Sequence, residues 1–255
     1  IMDQNKRRIF DEEKNEYTFR TLRSLIKSIN KASLELKNIK IDLMVTDANS
    51  PKEDIDKIQE ILDKSNIENK FQSINLEDFK DKIKPGYSKA KFSNMANFYT
   101  SLMIANRDEA DIIYFVEDDY LHSEDSITEM IFAYEKLSTI FSKDLVLLPA
   151  DYPYLYSKDD ATKIYLGEKY HWRLVSESLV TFMTSRKIIM ENYNDLEKMG
   201  IEWIDPWEKP LHNIYNLNPC LSPVPSLAVH CANINSVFGV PPFLDLKELW
   251  EKNRD

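Results

Sequence analysis

The sequence predicts an α/β fold in which a mixed, mostly parallel sheet is flanked by helices. Between Tyr17 and Leu148, apolar segments of strand length alternate with amphipathic helical patterns. That alternation is typical of βαβ units, whose parallel strands are covered on both faces. After Pro149 the strand-like segments follow one another more closely, which predicts antiparallel strands added to the same sheet.

The second observation is the segment Asp111–Tyr120, an apolar run that ends on Glu117, Asp118 and Asp119. It is predicted to be a buried strand whose carboxyl end delivers acids to the edge where open α/β sheets bind ligands. Adjacent carboxylates repel one another unless positive charge lies between them. A divalent metal carrying a phosphate would supply that charge. The alternative is a solvated acidic turn.

The elements of residues 1–150 follow from hydrophobic spacing and from helix-start signals. The chain begins abruptly with a polar segment that is typical of the end of a strand. It is therefore expected to be a piece of a longer polypeptide. The predicted elements are a helix from Tyr17, a strand over 41–46, a helix starting at Pro51 with Ser50 as cap, a strand over 71–75, a loop over 77–91, a helix over 94–106 capped by Ser93, the acidic strand, a helix over 125–141 and a strand over 145–148.

Residues 151–255 are predicted to form an aromatic second half that covers the first within a single domain. The predicted elements are strands over 164–167 and 170–183, a helix over 186–199 closed by Gly200, a helix within 204–215 with Asp205 as cap and Pro206 in first position, an apolar stretch over 221–228 and a helix over 244–250.

Composition excludes several classes of protein. The net charge is −10 and the pI is about 5.1, and no basic cluster outweighs its acidic neighbours, so a nucleic-acid binder is not expected. No window is apolar enough for a membrane span and no signal peptide opens the chain, which predicts a cytoplasmic protein and leaves peripheral membrane association open.

Cys220 and Cys231 fit no zinc motif, and buried thiols are favoured over a disulfide between them. The four glycines form no phosphate-binding loop.

Several side chains beyond the acidic strand are candidates for chemistry. Asp47 ends a neighbouring strand, which gives it a geometric reason to lie near Asp119. Carboxylates at that edge suit Mg²⁺ or Mn²⁺, and His230 could complete the shell of a manganese ion or be an ordinary buried histidine. Trp172 and Arg173 offer a stacking surface with a cation beside it, or else a partly exposed strand pair with a snorkelling arginine. Glu177, in an otherwise apolar and hydroxylic strand, is a candidate base or sugar-hydroxyl ligand.

Four segments resemble the GT-A-fold glycosyltransferases, closest to the inverting N-acetylglucosaminyltransferase I type with an E-D-D form of the D-x-D motif. The segment 113–120 with its preceding helix is similar to the metal-binding region of that family. The helix around 21–25 resembles the one after the family's first strand. The segment 202–207 (EWIDPW) is similar to the tryptophan-flanked acidic turn that carries the catalytic base, and 170–183 resembles a strand of bacterial relatives.

The resemblance implies a role for each matched residue. Asp119 would bind Mn²⁺ or Mg²⁺, with His230 as a second ligand that departs from the closest type. Asp205 would deprotonate the acceptor hydroxyl. The residues implied in nucleotide-sugar binding are Arg7, Arg8, Asp47, Glu117, Asp118, Trp172 and Arg173.

The implied reaction moves a sugar from a UDP-linked donor to a glycan or lipid-linked glycan, as in bacterial polysaccharide biosynthesis. Residues 1–150 would be the donor-binding half and residues 151–255 the acceptor-side half. One base opposite the leaving group inverts the configuration at the anomeric carbon. If Glu177 lies beneath the sugar instead, the configuration would be retained. Two alternatives stay open: a sugar-phosphate nucleotidyltransferase, and a carbohydrate-binding or scaffold domain without catalysis.

Overall fold

The computed structural model describes residues 9–157, 159, 161–232, 240–241 and 243–255, and it has a mixed α/β architecture. The helices are α1 (Lys14–Glu35), α2 (Lys52–Asp63), α3 (Lys89–Arg107), α4 (Ser126–Phe141), α5 (Arg186–Glu191), α6 (Tyr193–Ile201), α7 (Lys209–Tyr215) and α8 (Leu246–Lys252). The strands are β1 (Asp42–Asp47), β2 (Glu68–Ser73), β3 (Ile112–Phe115), β4 (Tyr120–His122), β5 (Val146–Leu147), β6 (Ile164–Leu166), β7 (His171–Leu174), β8 (Phe182–Ser185), β9 (Cys220–Val224) and β10 (Ala228–His230).

The largest sheet has six strands in the order β3-β8-β5-β9-β7-β6. Helices flank it, as the sequence predicts, but the expectation of a mostly parallel sheet is wrong. Within the described residues of this sheet, only β5 and β9 pair in parallel, and the other neighbours are antiparallel. For the neighbours β6 and β7 the physical reason is their short connection, which has no crossover helix and favours an antiparallel pair. Strand β8 lies antiparallel between β3 and β5, which themselves run in the same direction.

Alternating side chains of the central strands build two separate cores. Phe182, Val146 and Cys220 point to the face covered by α3, α5 and α6. Their neighbours Met183 and Leu147 point to the opposite face, where α4 covers them. This period of two is the geometry of a strand buried on both sides, and it explains why the strand segments read as continuous apolar runs.

Helix α1 joins the large sheet to the small parallel pair β1–β2. One part of its apolar face packs with α2 against Val45 and Phe71. Another part packs on Ile127 of α4 and reaches Val116, just beyond β3. Through these contacts α1 lies beside the segment that carries the three acids.

Several predicted boundaries need correction. Helix α3 begins at Lys89 with Ser88 as its cap, and Ser93 lies buried inside it. The predicted helix over 186–199 is divided at Asn192. Helix α7 begins at Lys209, so Asp205 does not cap it. The predicted strand over 170–183 is interrupted by residues 175–181, which places Glu177 outside any strand.

Gly167 shows why the turn between β6 and β7 needs a glycine. A Cβ atom built there would lie 2.3 Å from Glu129 Oε1 and 2.5 Å from Trp172 Nε1. The absence of a side chain lets this turn approach the buried Glu129–Trp172 pair.

Both cysteines are free and buried, as the sequence favours. Burial raises the pKa of each thiol well above its usual value. No helix in the part of the chain that the structure describes is long and apolar enough to cross a membrane.

Candidate functional site

The three acids follow directly after β3, in the turn that leads to β4. Phe115, the last residue of β3, is buried against Phe182, with ring centroids 5.0 Å apart. The chain then turns, so that Asp118 is exposed while Asp119 is buried. The predicted strand with acids at its carboxyl end is confirmed as local structure, although β3 pairs with an antiparallel neighbour.

The pairing of β4 with β10 brings His230 to Asp119. The two strands run antiparallel, with His230 opposite Tyr120, and the Cys231 N–H donates to the Asp119 carbonyl at 2.8 Å. The imidazole stacks on the Tyr120 ring, with centroids 4.8 Å apart and planes 18° from parallel. Its Nε2 atom lies 3.4 Å from Asp119 Oδ1. The two predicted metal ligands are therefore neighbours.

Lys14, at the start of α1, supplies positive charge to the same acids. Its Nζ atom lies 2.5 Å from Asp118 Oδ1 and 3.7 Å from Asp119 Oδ2. The Thr18 hydroxyl donates to Asp118 Oδ2 at 3.1 Å. The sequence analysis missed Lys14 because it began the helix at Tyr17, and it did not single out Thr18, which lies within that predicted helix. The signal was the spacing of Lys14, Tyr17 and Thr21 on one buried helical face.

Glu117 is held by the segment 175–181. Its backbone N–H donates to Thr181 Oγ1 at 3.0 Å, and the Thr181 hydroxyl donates to Glu117 Oε2 at 3.3 Å. These bonds tie the first acid to the start of β8. They restrict its carboxylate to a narrow range of orientations beside Asp119.

A buried tyrosine pair adjoins the acids. The hydroxyls of Tyr120 and Tyr152 lie 2.7 Å apart, and the rings of Tyr152 and Tyr154 are 5.7 Å apart. Burial raises the pKa of each of these phenols, and the charge of Glu177 raises that of Tyr154 further. Because the charge of Glu177 affects the pKa of Tyr154, the two side chains lie near each other. All three tyrosines are therefore neutral and can donate hydrogen bonds at neutral pH.

Trp172 and Arg173 do not form the predicted stacking surface, and this is a correction. Trp172 is fully buried, and its indole N–H donates to Glu129 Oε1 at 3.1 Å. Arg173 donates from Nε at 3.1 Å and from Nη2 at 2.9 Å to Asp151 Oδ1, and its guanidinium lies over the Tyr156 ring. A buried tryptophan in the core cannot stack on a ligand, and the arginine is engaged in an internal ion pair.

Asp47 is engaged in its own turn. Its carboxylate accepts hydrogen bonds from the Ser50 N–H at 3.1 Å and from the Ser50 hydroxyl. These bonds close the turn that leads from β1 to α2. The predicted role of Asp47 in nucleotide-sugar binding stays a prediction. Arg7 and Arg8 lie outside the described residues.

Asp205 lies in an exposed turn between two stacked tryptophans. The rings of Trp203 and Trp207 are 5.1 Å apart and 5° from parallel, and Lys91 of α3 lies 4.2 Å from the Trp203 ring centroid. Trp207 also meets Phe98, which packs on Phe115 at the end of β3. The tryptophan-flanked turn is therefore anchored to the same core that ends in the acids, with Asp205 exposed.

As a metal site, the cluster offers a pair of protein ligands. Among the described residues, no group of three or more histidine, cysteine or acidic side chains is placed to hold a metal ion. Asp119 Oδ1 and His230 Nε2, 3.4 Å apart, are close to the separation of about 3 Å expected for two neighbouring ligands of one ion. A divalent ion held by this pair would need its remaining ligands from other molecules, such as water.

Comparison with known proteins adds no family to these observations. No protein-family model matches the chain, and no curated protein matches it.

Proposed function

We propose that this chain is a metal-dependent glycosyltransferase of the GT-A type, which transfers a sugar from a UDP-linked donor to a hydroxyl of a glycan or other acceptor. The observation that carries the proposal is the Asp119–His230 pair at the end of β3, with Glu117 and Asp118 beside it. The carboxylate suits Mg²⁺ or Mn²⁺ in contact with a diphosphate, and an imidazole ligand beside it would favour Mn²⁺ over Mg²⁺.

In this proposal Asp119 and His230 would hold the metal ion. When bound, the ion would stabilise the negative charge that develops on the leaving diphosphate. Glu117 would accept hydrogen bonds from donor hydroxyls. Its carboxylate is already oriented by the hydrogen bond from the Thr181 hydroxyl. Pre-organised acceptors of this kind lose little conformational freedom when the donor binds.

The acceptor base is proposed to be Asp205, which gives inversion. Its support is the exposed carboxylate in a turn that the Trp203–Trp207 stack holds in place. Glu177 is the alternative and would accompany retention. Its support is its position beside Tyr154, in the segment that also binds Glu117 through Thr181.

The experiment that tests the proposal is release of nucleoside diphosphate from a panel of sugar nucleotides in the presence of Mn²⁺. Asp119→Asn should lower the rate at least about 100-fold, since it removes stabilisation of developing charge. Asp111→Asn is the matched control, because Asp111 is exposed at the opposite end of the same strand and should leave the rate unchanged.

The products distinguish the alternatives. A nucleotidyltransferase would release no nucleoside diphosphate from a sugar nucleotide, and would instead release pyrophosphate when supplied with a nucleoside triphosphate and a sugar 1-phosphate. Binding of a sugar nucleotide without turnover, under conditions that include candidate acceptors, would favour a binding domain.

A further inference from the structure

The inference concerns Lys14, whose ammonium lies between two acids of the proposed metal site. The Lys14 side chain is 6% exposed, and its Nζ atom lies 2.5 Å from Asp118 Oδ1. The same atom is 3.7 Å from Asp119 Oδ2, while the other oxygen of Asp119 faces His230. The Asp119 carboxylate therefore has a cation on one side and the imidazole on the other.

The start of α1 strengthens this positive environment. Asp118 accepts from Lys14 and from Thr18, both in the first turns of a helix of 22 residues. The amino end of a long helix carries partial positive charge, which favours a carboxylate there. Lys14 and the helix end thus neutralise acids that would otherwise attract a metal ion more strongly.

A cation bound to Asp119 would be repelled by the Lys14 ammonium. An ion in contact with this carboxylate lies closer to Nζ than the Debye length of about 8 Å at physiological ionic strength. Both Lys14 and Asp119 are buried, so solvent screens their surroundings weakly. When the metal ion binds, the Lys14 ammonium must therefore move and lose its ion pair. If the ammonium stays in place, the metal ion binds less tightly.

We propose that Lys14, paired with Asp118 and next to Asp119, is an internal counter-cation that competes with the divalent metal ion for the Asp119 carboxylate and so sets the metal affinity of the site. Metal binding would release the Lys14 ion pair and couple occupancy of the site to the start of α1. This inference rests on the proposed function, in which Asp119 is a metal ligand.

The test is Mn²⁺ binding measured by calorimetry and by the loss of the free-ion paramagnetic resonance signal, without donor. Lys14→Met removes the charge and keeps an unbranched side chain, and it should tighten Mn²⁺ binding about tenfold or more, as expected when about 1.4 kcal/mol of repulsion is removed. Lys31→Met is the matched control, because Lys31 lies on the same helix in an ion pair with Asp125 at 2.8 Å. It should leave the affinity unchanged.

Two further measurements keep the inference testable if Lys14→Met does not fold. Lys14→Gln should also tighten Mn²⁺ binding. In the wild-type chain, Mn²⁺ should raise the rate at which an amine-reactive reagent modifies Lys14, measured by mass spectrometry, relative to Lys31. Unchanged or weaker affinity in the folded neutral variants, or an unchanged labelling rate, would overturn the competition.

The outcomes separate this inference from the proposed function. If donor turnover depends on Mn²⁺ but the neutral Lys14 variants bind Mn²⁺ with unchanged affinity, the proposed transferase stands and the role of Lys14 is rejected. Failure of every form to bind Mn²⁺, both alone and with a nucleoside diphosphate present, rejects both the metal role of Asp119 and the competition.

Discussion

The imidazole of His230 lies 3.4 Å from the Asp119 carboxylate, although the two residues come from opposite halves of the chain. Antiparallel pairing of β4 and β10 creates this contact, and the Tyr120 ring supports the imidazole from one face. The geometry brings together two residues that the sequence predicts as ligands of the same ion. It also gives the proposed metal site its most direct test.

Substitution of His230 by Gln should weaken Mn²⁺ binding at least about tenfold, because a neutral imidazole is a better ligand than an amide oxygen for this ion. Calorimetric titration measures the effect. His171→Gln is the control, since His171 is exposed on β7. Equal affinities in wild type and His230→Gln would remove His230 from the site.

Asp205→Asn should lower sugar transfer about 1,000-fold while metal-dependent donor binding is retained, because an amide cannot accept the acceptor proton. Nuclear magnetic resonance of the product should show inversion at the anomeric carbon. Loss of donor binding in this variant would count against the base assignment.

Glu177→Gln separates the two candidate bases. If Asp205 is the base, Glu177→Gln should reduce transfer much less than Asp205→Asn does. A larger loss in Glu177→Gln, together with a retained anomeric configuration, would assign the reaction to Glu177.

His122 should make the fold less stable in acid. Burial lowers the pKa of His122 to about 4, and its ring nitrogens contact the Tyr114 hydroxyl at 2.7 Å and the Tyr120 carbonyl at 3.0 Å. The unfolded chain binds a proton near pH 6.5 and the folded chain does not until about pH 4, so stability falls as the pH drops through this window. The expected contribution is about 3 kcal/mol.

Urea denaturation at pH 7 and pH 4.5 measures this effect. The loss of stability between these values should be smaller in His122→Gln than in wild type, because Gln does not titrate. Equal losses would show that other groups account for the acid sensitivity.

Glu129→Gln should lower the free energy of unfolding by about 1–3 kcal/mol, because it weakens charge-assisted hydrogen bonds in the core. The Glu129 carboxylate accepts from the Trp172 indole and from the backbone N–H groups of Glu168 and Lys169. Glu135→Gln, on the exposed face of the same helix, is the control and should have little effect. Equal urea midpoints for the two variants would contradict the structural role of Glu129.

Residue patterns in the chain predict the α/β class, the position of most helices and strands, and the acids that follow β3. These features depend on local periodicity and on residue types at element ends, which a single sequence shows directly. The burial of both thiols followed in the same way. Parallel pairing was predicted for too many neighbours: β1 and β2 pair in parallel as expected, whereas β8 lies antiparallel between β3 and β5. Pairing depends on which distant segments become neighbours in the sheet.

The surroundings of the acids depend on tertiary contacts. The contacts of Asp119 with His230 and of Asp118 with Lys14 join residues far apart in the chain, and local patterns carry no information about such pairing. The burial of Trp172 depended on Glu129, a buried carboxylate that satisfies the indole from another element. Long-range register and buried polar partners therefore determined the candidate site, whereas local periodicity determined the elements that carry it.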